Sequence, residues 1–303
     1  MKVFEYYGSK TNLAPDLLKL IAPLKHRLTC IVDVFGGSGA FILNVPVEYN
    51  VQRVYNDLDR WLYTTFQVVH DDAKRAKLLE LLELSYRNRA IWEEYKKKYH
   101  EDEMPESDIE VAFRIIYLYQ YGFNGSLTSW GINRNDANRE GDKMGASIEG
   151  IKGLATALRH KFSAENLDFR KLMKKWDSPT TLFYLDPPYL TGRQHYRKGR
   201  KGGFGEEDFK DLKAICDKLQ GYYIMNESDK DEKEINAIFG EPQMRKKYAN
   251  QIARNFAGIT TSYRVELFYH NLDKPQPQPT PELPVAQHPL ASENAETGQS
   301  ISI

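Results

Sequence analysis

The residues best suited to chemistry lie at 181–189, Thr-Leu-Phe-Tyr-Leu-Asp-Pro-Pro-Tyr, an apolar run that ends in an acid, two prolines and a tyrosine. Leu182, Phe183, Tyr184 and Leu185 predict a buried strand, because apolar and aromatic residues run up to an abrupt stop. Pro187 and Pro188 supply that stop: each has a locked φ and no N–H, while its carbonyl still accepts a hydrogen bond. The carboxyl edge of an open α/β sheet is where ligands bind. The chemistry such a corner suits is transfer of a carbon to a poorly nucleophilic amine. An exocyclic nucleobase amine has its lone pair delocalised into the ring, and acceptors on its two N–H bonds localise that pair. The Asp186 carboxylate and the Pro187 carbonyl are two such acceptors, and Tyr189 offers a flat face on which an extruded base could stack.

Several other stretches would have to position this corner. Tyr6, Tyr7, Gly8, Ser9 and Lys10 precede Asn12-Leu13-Ala14-Pro15 and an apolar-periodic helix through Leu24, which alone reads as an ordinary N-terminal segment and cap. Residues 31–41, Ile-Val-Asp-Val-Phe-Gly-Gly-Ser-Gly-Ala-Phe, predict a buried strand, a glycine turn and the start of a helix. Glycines there allow left-handed backbone and close approach to a ligand, although neither a dinucleotide fingerprint nor a phosphate-binding loop is present. A second strand over Arg53-Val54-Tyr55-Asn56 ends in Asp57 and Asp59, roughly 20 residues past the glycine turn, the spacing at which an acid meets ribose hydroxyls. Asp168, before Phe169, reads first as a helix cap.

Between these motifs, residues 62 to about 99 read as one or two exposed amphipathic helices, 101–108 as an acidic loop and 110–121 as a helix with an apolar face. Residues 121–134 carry Asn124-Gly125, which predicts a β-hairpin. Asn124, Ser126, Asn133, Arg134 and Arg139 have side chains able to pair with base edges or phosphate. A helix is expected over 147–161. After the catalytic strand come five basic residues and no acid between Arg193 and Lys201, among them Arg193, Arg197 and Lys198; a loop here could close over a phosphate strand. A helix at 206–219, a strand from Tyr222 and a late strand at 265–269 complete the fold. From Asp273 the composition turns to Pro, Gln, Glu, Ser and Thr, which predicts a disordered tail.

The Asp-Pro-Pro-Tyr motif at 186–189 resembles the catalytic motif of amino-methyltransferases that act on nucleic-acid bases, and its Asp form is similar to the adenine-specific (N6) DNA methyltransferases of the Dam type. The resemblance covers positions 5 to about 270, with its motifs in family order. It implies S-adenosylmethionine as cofactor. The opening segment is similar to the family's Tyr-x-Gly-x-Lys, which puts Lys10, with Tyr7 beside it, at the cofactor carboxylate. Asp33, Phe35, Gly36 and Gly39 fit the loop that wraps the cofactor, and Asp57, in preference to Asp59, fits its ribose-binding acid. Asp168 and Phe169 match the pair that contacts the cofactor adenine, with Asp186 shared between cofactor and target. Residues 222–229 loosely resemble the motif that lines the base pocket, and 121–134 the target-recognition hairpin.

Length and charge bound the rest. At 303 residues and 41% hydrophobic, the chain can bury an extensive core. No apolar run of about 18 residues and no signal pattern occurs, so a cytoplasmic protein without a membrane partner is expected. Two distant cysteines, Cys30 and Cys216, suggest neither a disulfide framework nor a metal site. Lys plus Arg and Asp plus Glu number 42 each, a net charge of zero that argues against non-specific coating of nucleic acid.

The expectation is therefore an α/β protein: a Rossmann-like S-adenosylmethionine-dependent methyltransferase sheet with an inserted, mostly helical target-recognition domain. The catalytic domain is placed at 1–61 and 163–272, the recognition domain at 62–162 and the tail at 273–303. The expected reaction is methylation of the N6 amine of a flipped adenine in double-stranded DNA, by a monomer or weak dimer and without a metal. The alternatives are an RNA base amino-methyltransferase and a catalytically inert DNA-binding protein that retains the fold. A restriction role requires a separate partner, since no nuclease-like carboxylate and lysine cluster is evident.

Overall fold

The computed structural model describes residues 3–4, 13–131, 143–157, 161–190, 203–249, 253–255, 258–260 and 263–274. Tyr7, Lys10, Asn133, Arg134, Arg139, Arg193, Arg197, Lys198 and the tail beyond Lys274 lie outside them. Contacts between Cα atoms group the chain as far as Asp273 as one compact unit.

In chain order the principal elements are α1 (Ala14–Ile21), β1 (Cys30–Asp33), β2 (Gln52–Asn56), α2 (Arg60–His70), α3 (Asp72–Glu83), α4 (Arg89–His100), α5 (Asp108–Tyr121), α6 (Lys143–Ala157), β3 (Phe162–Glu165), α7 (Phe169–Trp176), β4 (Thr181–Leu185), α8 (Glu206–Cys216), β5 (Tyr222–Ser228), α9 (Glu232–Phe239), β6 (Met244–Ala249), β7 (Ala253–Asn255), β8 (Gly258–Thr260) and β9 (Tyr263–His270). Seven strands form one sheet in the order β3-β2-β1-β4-β5-β9-β6, and β7 pairs with β8 separately. The first five run parallel, and β9 is antiparallel to both β5 and β6. This is the open, Rossmann-like α/β sheet that the sequence predicts. Strand order reverses between β1 and β4, so the crevice at a topological switch point opens at their carboxyl ends. Both candidate loops leave from there.

Why the sheet is buried on both faces follows from its strands. Alternate residues point to opposite sides. Ile31, Tyr55, Leu182, Tyr184, Tyr222 and Ile224 enter a core shared with Leu17 of α1, Phe66 of α2, Ile115 of α5 and Ile151 of α6. Val32, Val54, Phe183, Leu185 and Met225 enter the other core, with Leu172 of α7, Leu212 of α8 and Ile235 of α9. The helices between β2 and β3 thus lie on the α1 side. That continuity departs from the exposed helices expected over 62–99: α2 alone buries Trp61, Leu62, Phe66, Val68 and Val69, because its apolar stripe completes the sheet's cover.

Two other local expectations differ. The glycine turn does not open an α-helix; turns lead to a short 3₁₀ segment at Ile42–Asn44. Val45 is already extended, as the residue before a proline tends to be, and Pro46 after it supplies no N–H with which a helix could continue. Nor do Asn124 and Gly125 turn a β-hairpin. Phe123–Gly125 wind a 3₁₀ turn, and among the described residues the strand-like pairing nearby is an isolated antiparallel bridge between Gly122 and Trp130. Gly125 takes its φ of 65° at the end of that turn, where the Ser126 N–H donates to the Phe123 carbonyl at 3.0 Å.

Candidate active site

Parallel pairing sets the geometry. Asp33 lies opposite Tyr184 in register, and the Val34 N–H donates to the Tyr184 carbonyl at 3.0 Å. The glycine loop therefore leaves β1 immediately beside the Asp-Pro-Pro corner that leaves β4. Asp33 is 1% exposed, and burial, with the charges of Asp186 and Asp57 added, pushes its carboxyl well above the usual range. Its Oδ1 is buried and meets no hydrogen-bond donor among the described residues. A cationic group would remove that deficit.

The loop itself is pressed onto β2. A Cβ at Gly36 would stand 2.3 Å from the Tyr55 ring and 2.9 Å from the Asn56 carbonyl. Only a residue without one allows the Gly36 N–H to donate to the Asn56 carbonyl at 2.7 Å. Gly39 adopts φ 68°, where its missing Cβ would also crowd Leu43 and Phe66. The Tyr55 hydroxyl donates to the Gly37 carbonyl at 2.9 Å, and the Gly37 N–H donates to Asp57 Oδ2 at 2.8 Å. Asp57 Oδ1 accepts the Asp59 N–H at 2.8 Å. Burial raises the Asp57 carboxyl to about 7 despite these donors. Asp59, by contrast, caps α2 through the Trp61 N–H at 2.9 Å and accepts the Tyr99 hydroxyl.

Asn56 is a positioning residue that sequence reading passed over. Its side chain is 2% exposed. Nδ2 donates to the Val34 carbonyl at 2.8 Å and to the Leu167 carbonyl at 3.1 Å, and Oδ1 accepts the Leu167 N–H at 2.9 Å. One amide thus joins the ends of β1 and β2 to the residue before Asp168. Asn166 adds a bond from Nδ2 to the Asp57 carbonyl at 2.7 Å. Asp168 caps α7, accepting the Arg170 N–H at 3.0 Å, and pairs with the Arg170 guanidinium at 3.2 Å. Phe169 is 5% exposed and lies 5.8 Å, centroid to centroid, from Phe35.

At the corner, Pro187 is buried and Asp186, Pro188 and Tyr189 are half-buried. Asn226 of β5 is fully buried; its Nδ2 donates to Asp186 Oδ1 at 3.2 Å and its Oδ1 accepts the Tyr184 hydroxyl. Burial, followed by the Asp186 charge, holds that phenol well above its ordinary value, so it stays a donor. The only sequence signal for Asn226 was its place in the strand loosely likened to a base-pocket motif. The sheet edge therefore gathers Asp33, Phe35, Gly36, Gly39, Asp57, Asp168, Phe169 and 186–189. The loop after α5 lies in a different setting: Ser126 is 6% exposed, with its hydroxyl 2.7 Å from that of Thr128, and Asn124 sits on the 3₁₀ turn.

The residues present fit a nucleoside carrying a cationic amino-acid arm: a buried carboxylate oxygen without a donor, a backbone loop with no room for a Cβ, and an acid and aromatic rings along the same edge. The family model described as D12 class N6 adenine-specific DNA methyltransferase matches residues 6–252. The modification methylase StsI of Streptococcus sanguinis is 24% identical over 208 residues, 65% of this chain and 30% of that protein; the chain spans under a third of that relative's length. A solved structure of yhhF from Escherichia coli covers 85% of both chains at 11% identity and a TM-score of 0.30, too distant to bear on the site.

Proposed function

Because this chain belongs to the D12 class N6 adenine-specific DNA methyltransferase family, we propose that it methylates the N6 amine of an adenine extruded from double-stranded DNA. The observation that carries the reading is the placement of Asp186 beside the glycine loop, its carboxylate held by Asn226 at 3.2 Å. S-adenosylmethionine is the donor in this reading and supplies an electrophilic methyl on a sulfonium. Asp33 would hold the ammonium of its amino-acid arm, Asp57 its ribose, and Asp168 with Phe169 its adenine. Lys10, with Tyr7, would meet its carboxylate.

The chain's own part in the chemistry is positional. Asp186 and the Pro187 carbonyl accept the two N–H bonds of the target amine, which turns its lone pair toward the methyl. Pro188 stiffens the corner, and Tyr189 stacks on the swung-out base. The methylated amine is a strong acid and loses its proton to solvent or to the Asp186 carboxylate, so no strongly basic side chain is required. Residues 62–162 act as the target-recognition part. Asn124, Ser126, Asn133, Arg134 and Arg139 belong to it as base or phosphate contacts, and Arg193, Arg197 and Lys198 contact phosphate. Modification that shields a site from a separate restriction nuclease is the biological role this chemistry suits.

The test is methyl transfer from labelled cofactor to DNA and to RNA in parallel. Asp186→Ala should lose transfer while keeping DNA binding, and long-read sequencing of DNA from expressing cells should show N6-methyladenine in a fixed context. Normal turnover by Asp186→Ala, or label entering RNA alone, would refute the proposal.

A further inference from the structure

Phe204 has no part in the arrangement described above, yet it stands against two of its rings. It precedes α8, which begins at Glu206. Its centroid lies 5.4 Å from Phe35, edge to face, and 5.7 Å from Phe169. Phe35 and Phe169 are themselves 5.8 Å apart, so the three form a closed triangle. Phe209, fully buried, backs Phe204 at 5.0 Å. Phe35 and Phe204 remain half-buried, leaving ring surface open at the sheet's carboxyl edge.

What fixes Phe204 there is Arg170. Its guanidinium lies 4.2 Å from the centroid of the Phe169 ring. It pairs with Asp208 at 2.7 Å and with Asp211 at 2.6 Å, both on α8, as well as with Asp168. Asp208 Oδ2 in turn accepts the Gly205 N–H at 2.9 Å. One planar fork thus binds the start of α7 to the start of α8 and holds the backbone next to Phe204. The trio also adjoins Asp57, because Asn166 bonds the Asp57 carbonyl just ahead of Asp168 and Phe169.

Resting on the methyltransferase reading above, we propose that Phe204 is a third aromatic wall for the adenine of the cofactor, with Arg170 as the positioning residue that holds it against Phe35 and Phe169. Open ring surface beside an acid is a platform for a flat heteroaromatic ligand, since a purine stacks on aromatic rings while a carboxylate receives its exocyclic amine. A second role, as plain packing that docks α8 on the sheet, predicts a different response to substitution.

The experiment is calorimetric titration of the full chain with S-adenosylhomocysteine, with the melting temperature of each ligand-free variant measured alongside. Phe204→Leu keeps an apolar side chain but has no ring face, and should weaken the complex about tenfold. Phe204→Trp keeps a ring face and should bind within about threefold of the parent chain. Arg170→Lys should raise the KM for the cofactor and leave kcat at saturation unaltered, since a compact ammonium cannot span three carboxylates. Parental affinity in Phe204→Leu, or losses in both Phe204 variants that merely follow their melting temperatures, would overturn the inference. Failure of the parent chain itself to bind S-adenosylhomocysteine would overturn the methyltransferase reading and this one with it.

Discussion

The carboxamide of Asn226 donates to Asp186 Oδ1 at 3.2 Å while accepting the hydroxyl of Tyr184. An amide can do both: the carboxylate needs a donor, which Nδ2 supplies, and the phenol, held in its protonated form, needs an acceptor, which Oδ1 supplies. The hydrogen-bond partners therefore fix which end of the amide faces the Asp-Pro-Pro corner. The result is a relay from the interior of β4, through β5, back to the residue that follows β4. It presets the Asp186 carboxylate before any substrate arrives.

Asn226→Leu should damage stability and turnover by separable routes. The buried Tyr184 hydroxyl would lose its acceptor, costing about 1–3 kcal/mol. Asp186 would lose its restraint, and misplacement of a positioning group should slow methyl transfer about a hundredfold. Adding Tyr184→Phe should return most of the stability and none of the rate. Urea unfolding and single-turnover transfer, run on both singles and the double variant, measure the two effects independently.

Gly36→Ala should fail at the cofactor rather than at the target. A Cβ there meets the Tyr55 ring at 2.3 Å, and that ring is tied through its hydroxyl to Gly37, so the loop must lift. Overpacking of this kind costs about 1–3 kcal/mol. Calorimetry with S-adenosylhomocysteine should show weakened binding, while DNA affinity measured without cofactor stays at the parental value.

How much of this could be read from residues alone depended on the range of the interaction. The ends of β1 and β4 were visible because strand, glycine turn and Asp-Pro-Pro are contiguous signals, and the switch point follows from their order. Asn56 and Asn226 were not identified as positioning residues, since their partners, Leu167 and Asp186, are distant in sequence and nothing local sets either amide apart. Phe204 was missed likewise: its significance comes from Phe35 and Phe169, which the topology brings together. The buried character of α2 escaped because its stripe reads as amphipathic until the sheet it covers is known. The expected hairpin failed because Asn-Gly also suits a 3₁₀ turn when the flanking glycines let the loop fold back on α5.

Acidity around the pocket sets a pH dependence that one substitution can isolate. Asp57 has its folded value raised from 3.8 to about 7, so the folded protein binds this proton more tightly than the unfolded chain. The associated stability is complete below about pH 4 and is lost as pH rises through about 7. Asp33, raised by burial and its acidic neighbours, acts in the same sense. Asp57→Asn removes one such group and should flatten the fall in unfolding free energy between about pH 4 and 7. A slope over that interval identical to that of the parent chain in urea titrations would contradict the assignment.

The loop after α5 offers a way to separate DNA recognition from cofactor binding. A Cβ at Gly122 would lie 2.0 Å from the Ser126 carbonyl and 2.9 Å from that of Leu118, and one at Gly131 would lie 2.9 Å from Gly122. The two glycines let the strands of the loop touch. From the other side, Lys96 donates to the Thr128 carbonyl at 3.1 Å, and the Trp92 ring meets that of Trp130 edge to face at 5.9 Å. Gly122→Ala must therefore push the 123–130 segment off these supports. If that segment reads the target, losing one good base contact alone costs about 1–3 kcal/mol. Affinity for cognate DNA should then fall about tenfold or more at fixed salt, with S-adenosylhomocysteine binding unchanged. Fluorescence anisotropy with cognate and scrambled duplexes measures this directly. A variant that keeps full discrimination between the two would place target reading elsewhere in the chain.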